Sequence, residues 1–444
     1  MPPVPAALVA VQFLIFGSRT PMALWSALTV RCIGLAASVY LLLRCFGDGT
    51  RYRWRYVAAL AYVAAIGALP DFFLDLHDIW LVCLVGLALV RCFAPLLEGS
   101  RDVPRAPLLL LSVVAPLTNP AFLTPFLAMW AVVLLRPAAH NASGPGDARG
   151  GPAPRRPVRL AAASLGLFLG AVLAWSALTA LRVGVIAPVK SNMWYDFYQA
   201  NVLEGDGVLR VSTFYRYHPI HSSAALDRYV REGERDFMAR YRDASLGFLR
   251  RHPLEFLAKV ARRASNAFVF LRPGDDVWDV DTGAIEEGDV ACLAAAGTIA
   301  LDRHQSTPGS PLYVWTNLSE SPERFRHELA WLDPSGRSSI LEVWNEARAR
   351  VAEFDSSLLA RLQGFGLAAV PAVALLLGAA TRRVREDGVF TIAALFYVCF
   401  LAPYVLVSHY ARYQMFMLGI QALLVPFGFV AGWSLCRQIA GRAQ

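Results

Sequence analysis

Three sets of residues in this chain stand where their types and spacing allow chemistry. The stretch PDFFLDLHD puts Asp71, Asp75 and Asp78, with His77, into one short turn between apolar runs. A carboxylate there can take a proton from a hydroxyl group or orient it. The same group of carboxylates leaves room for a divalent metal, although the spacing matches no recognised zinc pattern. The competing reading is a solvated turn in which Asp78 caps the following helix. Near the C-terminus, SHYARYQ places His409, Arg412 and Tyr413 where a short loop enters the last apolar run. A guanidinium holds phosphate through two parallel donors and keeps its charge. Arg and Tyr also anchor helices at a membrane boundary. The third set is Lys190, Asn192, Trp194, Tyr195, Tyr198 and Asn201. Aromatic faces stack on sugars, and an ammonium suits phosphate. The alternative is an interfacial aromatic belt. His218 and His221 read as surface or packed histidines.

The elements that must position these residues are apolar helices. Hydrophobic residues make up 56% of the 444 and charged residues 17%, and mean hydropathy is +0.42. About 20 mainly apolar residues cross the hydrocarbon as a helix. Nine segments are read as spans: 23–43, 56–69, 78–94, 106–117, 120–135, 158–181, 357–380, 388–407 and 413–435. The second and fourth are short for a full crossing. The expected fold class is therefore an all-α polytopic membrane protein with about nine transmembrane helices and a large exterior, mainly helical loop subdomain. Three regions follow: an N-terminal bundle over 1–182, the exterior loop domain over 183–356 and a three-span bundle over 357–444.

Basic residues in short loops orient the chain. Arg44, Arg51, Arg53 and Arg55, then Arg91, Arg101 and Arg105, then Arg136, Arg155, Arg156 and Arg159, then Arg382, Arg383 and Arg385, and finally Arg437 and Arg442, all fall on one side. That side reads as cytoplasmic, and the large loop as exterior. The net charge of +8 is thus a topology signal. No basic–aromatic stripe accompanies it, so nucleic acid is not an expected partner. The Gly/Pro/Arg-rich stretch 137–157 reads as a disordered cytoplasmic loop. The seven cysteines form no disulfide framework. By the alternation the N-terminus lies outside, and 5–16 is an interfacial helix too short to span. Either a further span precedes it, or 5–17 and part of 21–43 form a tight hairpin. The stretch 246–270 reads as one amphipathic surface helix, Phe248, Leu254, Leu257, Val260 and Phe268 opposing Arg250, Arg251, Lys259, Arg262 and Arg263. Its basic face suits anionic headgroups.

Several stretches resemble, in order and spacing, the polyprenyl-phosphate-sugar-dependent membrane glycosyltransferases of the GT-C type, similar to protein O-mannosyltransferases and aminoarabinose transferases. These are the opening with Pro2-Pro3, Phe16-Gly17 and Phe46-Gly47, the paired spans joined by Thr118-Asn119-Pro120, the exterior helices with Ala244, His252-Pro253 and Lys259, and the last span entered through Arg412-Tyr413. The resemblance implies transfer of a sugar from a polyprenyl-phosphate donor to a cell-envelope acceptor at the exterior face of a bacterial plasma membrane. Arg412, Tyr413 and Lys190 would then hold donor phosphate, and Tyr195, Asn201 and His409 would bind substrate. Asp71, Asp75 and Asp78 become the catalytic candidates. Beyond a divalent metal at these carboxylates, no cofactor is expected; the expected partners are the lipid-linked sugar, membrane lipid and a partner subunit. The family carries an acidic residue on a loop ahead of the region matched here, and no residue of this chain inherits that role by motif. A scaffold or lipid-handling subunit with the same fold is the alternative.

Overall fold

A computed structural model describes residues 3–17, 21–46, 53–68, 79–100, 103–135, 156–183, 192–209, 223–269, 358–409 and 411–442, with 186, 213, 217 and 271. All regular structure among them is helical. The helices are α1 (Pro3–Phe16), α2 (Pro21–Cys45), α3 (Trp54–Ala68), α4 (Ile79–Leu97), α5 (Arg105–Thr118), α6 (Leu123–Leu135) and α7 (Arg156–Val183). The short α8 (Met193–Tyr198) runs into a π turn, Gln199–Leu203. Then come α9 (Ser223–Arg251), α10 (Pro253–Phe268), α11 (Leu358–Ala380), α12 (Arg382–Arg385), α13 (Gly388–Val407), α14 (Ala411–Met415) and α15 (Leu418–Arg442).

Among the described residues, five helices are long and apolar enough to cross a membrane: Trp25–Cys45, Ile79–Leu97, Pro157–Arg182, Gly388–Val407 and Leu418–Ala440. On that ground the chain is a membrane-embedded protein whose described regular structure is helical. The expected count of nine is not reached by length, because the apolar helices Trp54–Gly67, Arg105–Thr118, Pro120–Leu135 and Phe365–Ala380 are shorter. Two of these correspond to 56–69 and 106–117, read from the sequence as short for a full crossing. Asn119 ends α5, accepts from the Ala121 N–H at 2.9 Å and restarts the chain as a 3-10 turn at Pro120. Two apolar runs thus become two short helices meeting at a polar joint.

One continuous core joins the bundle. Helix α4 lies at its centre, with Val82, Leu87, Leu89, Val90 and Phe93 buried, and packs on α2, α5, α13 and α15. Aromatic rings fill the joints. Phe126 stacks on Phe168 at 4.6 Å, and Phe122 meets Phe400 edge-on at 5.3 Å. At Gly86 an added Cβ would come within 3.1 Å of the Phe396 ring, so the bare backbone lets α4 and α13 approach. Leu14, Leu60, Leu173, Leu181 and Leu376 are exposed on the outside, the surface that hydrocarbon covers. Asp387 caps α13 by accepting from the Val389 and Phe390 N–H groups, the usual way of satisfying orphan donors at a helix start.

The expected single helix over 246–270 is two. Proline lacks an N–H and disfavours helical backbone in the residue before it, so the chain breaks at His252 (φ −129°, ψ 49°) and restarts at Pro253. The expected polarity is reversed at four positions of α10, while Arg250, Arg251 and Arg262 stay exposed as expected. Lys259 and Arg263 face inward at 3% and 0% exposure, while Leu254 and Leu257 face outward at 79% and 59%.

Candidate functional site

A cluster of buried polar side chains gathers at the Val407 end of α13. Four elements meet there: the α8–π turn, α10, the end of α13 and the α14 entry to α15. The last turn of any helix leaves carbonyls without intrahelical donors and carries the negative end of the macrodipole. Arg263 answers that need for α13. Its Nε donates to the Val405 carbonyl at 2.6 Å, and Nη2 to the Leu406 carbonyl at 3.1 Å. Nη1 reaches the Gly207 carbonyl at 2.9 Å. Burial pushes the Arg263 guanidinium down to about 10, so it stays charged near neutral pH.

Lys259, one turn earlier, does the same for the π turn. Its ammonium donates to the Asn201 and Glu204 carbonyls at 2.6 and 2.9 Å. It also pairs with Glu255 at 2.9 Å, and this hydrogen bond draws the Glu255 carboxyl below its ordinary range. Asn201 closes the ring by donating to the Phe197 and Val407 carbonyls at 2.9 and 3.0 Å. Gly207 sits in the left-handed region at φ +83°, and a Cβ there would stand 2.5 Å from Lys259 Cβ. Only glycine lets the loop lie this close to α10.

His409 lies beside this ring, fully buried. The Asn266 amide stands 3.4 Å from its Nδ1. An amide nitrogen only donates, so the neutral ring keeps its proton on Nε2, which has no partner among the described residues. Burial, aided by the charge of Arg263, drives the imidazole down to about 3. Tyr413 stacks on Tyr404 with ring centres 3.7 Å apart, and the Tyr404 hydroxyl donates to Asn119 Oδ1 at 3.0 Å. The joint between α5 and α6 is therefore tied to the entry of the last span. Below it, Gln414 donates to the Ala267 carbonyl and accepts from Gln421 at 2.7 Å, and Gln421 reaches the Leu367 carbonyl on α11 at 2.9 Å.

The nine sequence candidates divide sharply. Asn201, His409 and Tyr413 come together here, all buried. Tyr195 is buried apart from them, in an aromatic knot with Phe237 and Tyr241, its hydroxyl accepting from Gln199 at 3.0 Å. The Asn201 amide nitrogen and the Tyr195 hydroxyl are engaged with protein and in this arrangement hold the 192–209 segment in place, whereas the buried Asn201 Oδ1 has no hydrogen-bond partner among the described residues. Arg412 lies in α14, next to this cluster in the chain. Its side chain, Lys190 and the turn with Asp71, Asp75 and Asp78 fall outside the described residues. So do the 137–155 stretch and the tract from 272 to 357. Among the described residues no group of three or more His, Cys, Asp or Glu is placed to hold a metal.

Sequence reasoning missed Arg263, Asn266, Gln414 and Gln421. A signal was present: polar residues at 259, 263 and 266 repeat at helical spacing opposite Leu254, Leu257, Ala258 and Ala261. Gln414 and Gln421 are seven apart at the head of an apolar run, and polar residues inside a span face protein rather than lipid. No family model, no curated protein and no solved structure matches this chain.

Proposed function

We propose that this protein is a GT-C-like glycosyltransferase that moves a sugar from a polyprenyl-phosphate donor to a cell-envelope acceptor. In this reading the Val407 end of α13 faces the exterior of a bacterial plasma membrane. All nine short apolar and spanning segments cross or enter the bilayer. Arg412, Tyr413 and Lys190 hold the donor phosphate, and the acidic turn of Asp71, Asp75 and Asp78 serves the acceptor.

One observation carries the reading. Stretches on which the family resemblance rests converge at a single end of the bundle: the Asn119 joint, α10 with Lys259, and the α14 entry. They do so through hydrogen bonds across 285 and 58 residues of chain. A reaction on a membrane-anchored phosphate needs such convergence, because preorganised donors stabilise developing charge best when they are already fixed. The buried ring of Arg263, Lys259 and Asn201 fixes the 405–407 turn, five residues ahead of Arg412 in the chain.

The test is donor binding and turnover in lipid nanodiscs with a radiolabelled polyprenyl-phosphate sugar. Lysine offers a point charge where arginine offers a planar fork. Arg412→Lys is therefore expected to lower donor binding or turnover at least about tenfold, roughly 1.4 kcal/mol, with expression unchanged. Equal binding by both proteins would return Arg412 to membrane anchoring.

A second reading has its own support. The Arg263 and Asn201 donors, and two of the three polar contacts of Lys259, go to backbone carbonyls, and His409, Asn201 and Gln199 are closed off from solvent. That closure suits a membrane scaffold or lipid-handling subunit. A wild-type protein that binds a partner chain yet neither binds nor turns over the donor would favour it.

A further inference from the structure

We propose that α10 is a re-entrant membrane helix: it enters one leaflet at the Val407 end of α13, stops near mid-depth, and turns Val269 toward lipid acyl chains, with Leu254 and Leu257 at and above the headgroups. This stands independently of the glycosyltransferase reading.

Depth is set by α13, itself a span. Its 20 residues at 1.5 Å per residue reach about 30 Å, and Tyr397 lies halfway along. At one end of that ruler, Arg263 grips the Val405 and Leu406 carbonyls. Five residues later, the Phe268 ring stands 5.8 Å from the Tyr397 ring at 78°. A second contact gives the same depth. The Ala267 carbonyl accepts from Gln414, whose Oε1 accepts from the Tyr397 hydroxyl at 3.3 Å. Helix α10 therefore passes from the end of a span to its middle, packing on α13 and α11. Leu271, just beyond its end, is buried in the main core.

The polarity of α10 fits hydrocarbon rather than water. Its inner face holds Lys259, Arg263 and Asn266, all hydrogen-bonded to protein. Its outer face shows Leu254, Leu257 and Val269 at 79%, 59% and 54% exposure. In lipid, polar groups must be satisfied inside the protein, and polar side chains turn to the bundle interior. The occupant of the outer face is the leaflet around the bundle. The apolar surface continues onto Leu406 and Val398 of α13, which are 51% and 45% exposed. Arg250, Arg251 and Arg262 are exposed too. Arg262 neighbours the residue that caps α13, so it lies at the level of lipid phosphates, whose charge it complements.

Nitroxide labels test this in nanodiscs of phosphatidylethanolamine and phosphatidylglycerol. They are attached at Leu254→Cys, Leu257→Cys, Arg262→Cys and Val269→Cys, after Cys32, Cys292, Cys399 and Cys436 are replaced by Ala. All four label sites are exposed, so the fold tolerates them. Collision with dissolved oxygen, which favours hydrocarbon, is compared with collision with a water-soluble nickel chelate. The expected ratio of oxygen to chelate is highest at Val269, lower at Arg262 at headgroup depth, and lower again at Leu257 and Leu254. Chelate collisions dominating at Val269 as they do at Leu254 would make α10 an aqueous helix and overturn the proposal. Shielding of the Val269 label from both reagents would show the face covered by protein, another segment or a second copy, and would overturn it equally.

Discussion

Arg263 shows how a buried cation is kept without a carboxylate beside it. Its three carbonyl partners belong to the end of α13 and the 204–209 loop. Three oriented dipoles and a helix terminus supply the negative potential that an ion pair would otherwise supply. His409 pays the electrostatic consequence, because Arg263 opposes a second positive charge nearby. The native pKa, about 3, lies well below the ordinary 6.5. Above about pH 6.5 the ring is neutral in both folded and unfolded chains, and its contribution is fully present. As pH falls from 6.5 toward 3, the unfolded chain takes up a proton that the folded chain refuses, and stability drops by about 1.4 kcal/mol per pH unit. Near pH 5 the expected loss is about 2 kcal/mol. His409→Gln should remove that part of the slope. Thermal unfolding in detergent at pH 7.5 and 5 measures it, and identical slopes for both proteins would refute this account of His409.

At the scale of elements, the 192–209 segment and α10 behave as one unit. Aromatic contacts seat α8: Phe197 lies 5.7 Å from Phe256 of α10, and Tyr195 lies 4.9 Å from Tyr241 of α9. Lys259 then clips the π turn to α10. Gly207 is the tightest point of that seam. Gly207→Ala meets both a positive φ and the Lys259 side chain, and should cost about 1–3 kcal/mol locally. Limited proteolysis of the folded protein should then show faster cutting within 204–213. Gly205→Ala, with nothing within 4 Å, is the matched control and should cut at the wild-type rate. Equal rates in all three proteins would mean that the seam is looser than its geometry implies.

At the scale of the whole molecule, the basic residues give a topology that can be checked. Arg382, Arg383 and Arg385 form α12, at the opposite end of α13 from the polar cluster. If short basic loops are cytoplasmic, then 137–157 is cytoplasmic and 190–350 exterior. A reporter that works only outside the cell should be silent when fused at Gly146 and active when fused within 190–350. Activity at Gly146 would invert the whole assignment and carry the cluster to the other face.

Much of the architecture is legible one residue at a time. The segments read as 388–407 and 158–181 correspond to Gly388–Val407 and Pro157–Arg182. Hydrocarbon solvates each side chain of a helix separately, so a long apolar run declares itself without knowledge of its neighbours. The class of fold and most helix positions follow from that. Polar partners are another matter. Arg263 meets Val405 across 142 residues, and Asn201 meets Val407 across 206. Nothing local distinguishes an arginine bound for lipid headgroups from one bound for a helix end. The sequence by itself therefore determined an all-helical membrane chain with polar residues crowded near its loops. Only the tertiary structure decided that α10 turns Lys259 and Arg263 inward and that Asn201, His409 and Tyr413 share one cluster. The physical reason is that buried charges must find partners, and those partners are backbone carbonyls, which every residue carries and no sequence pattern marks.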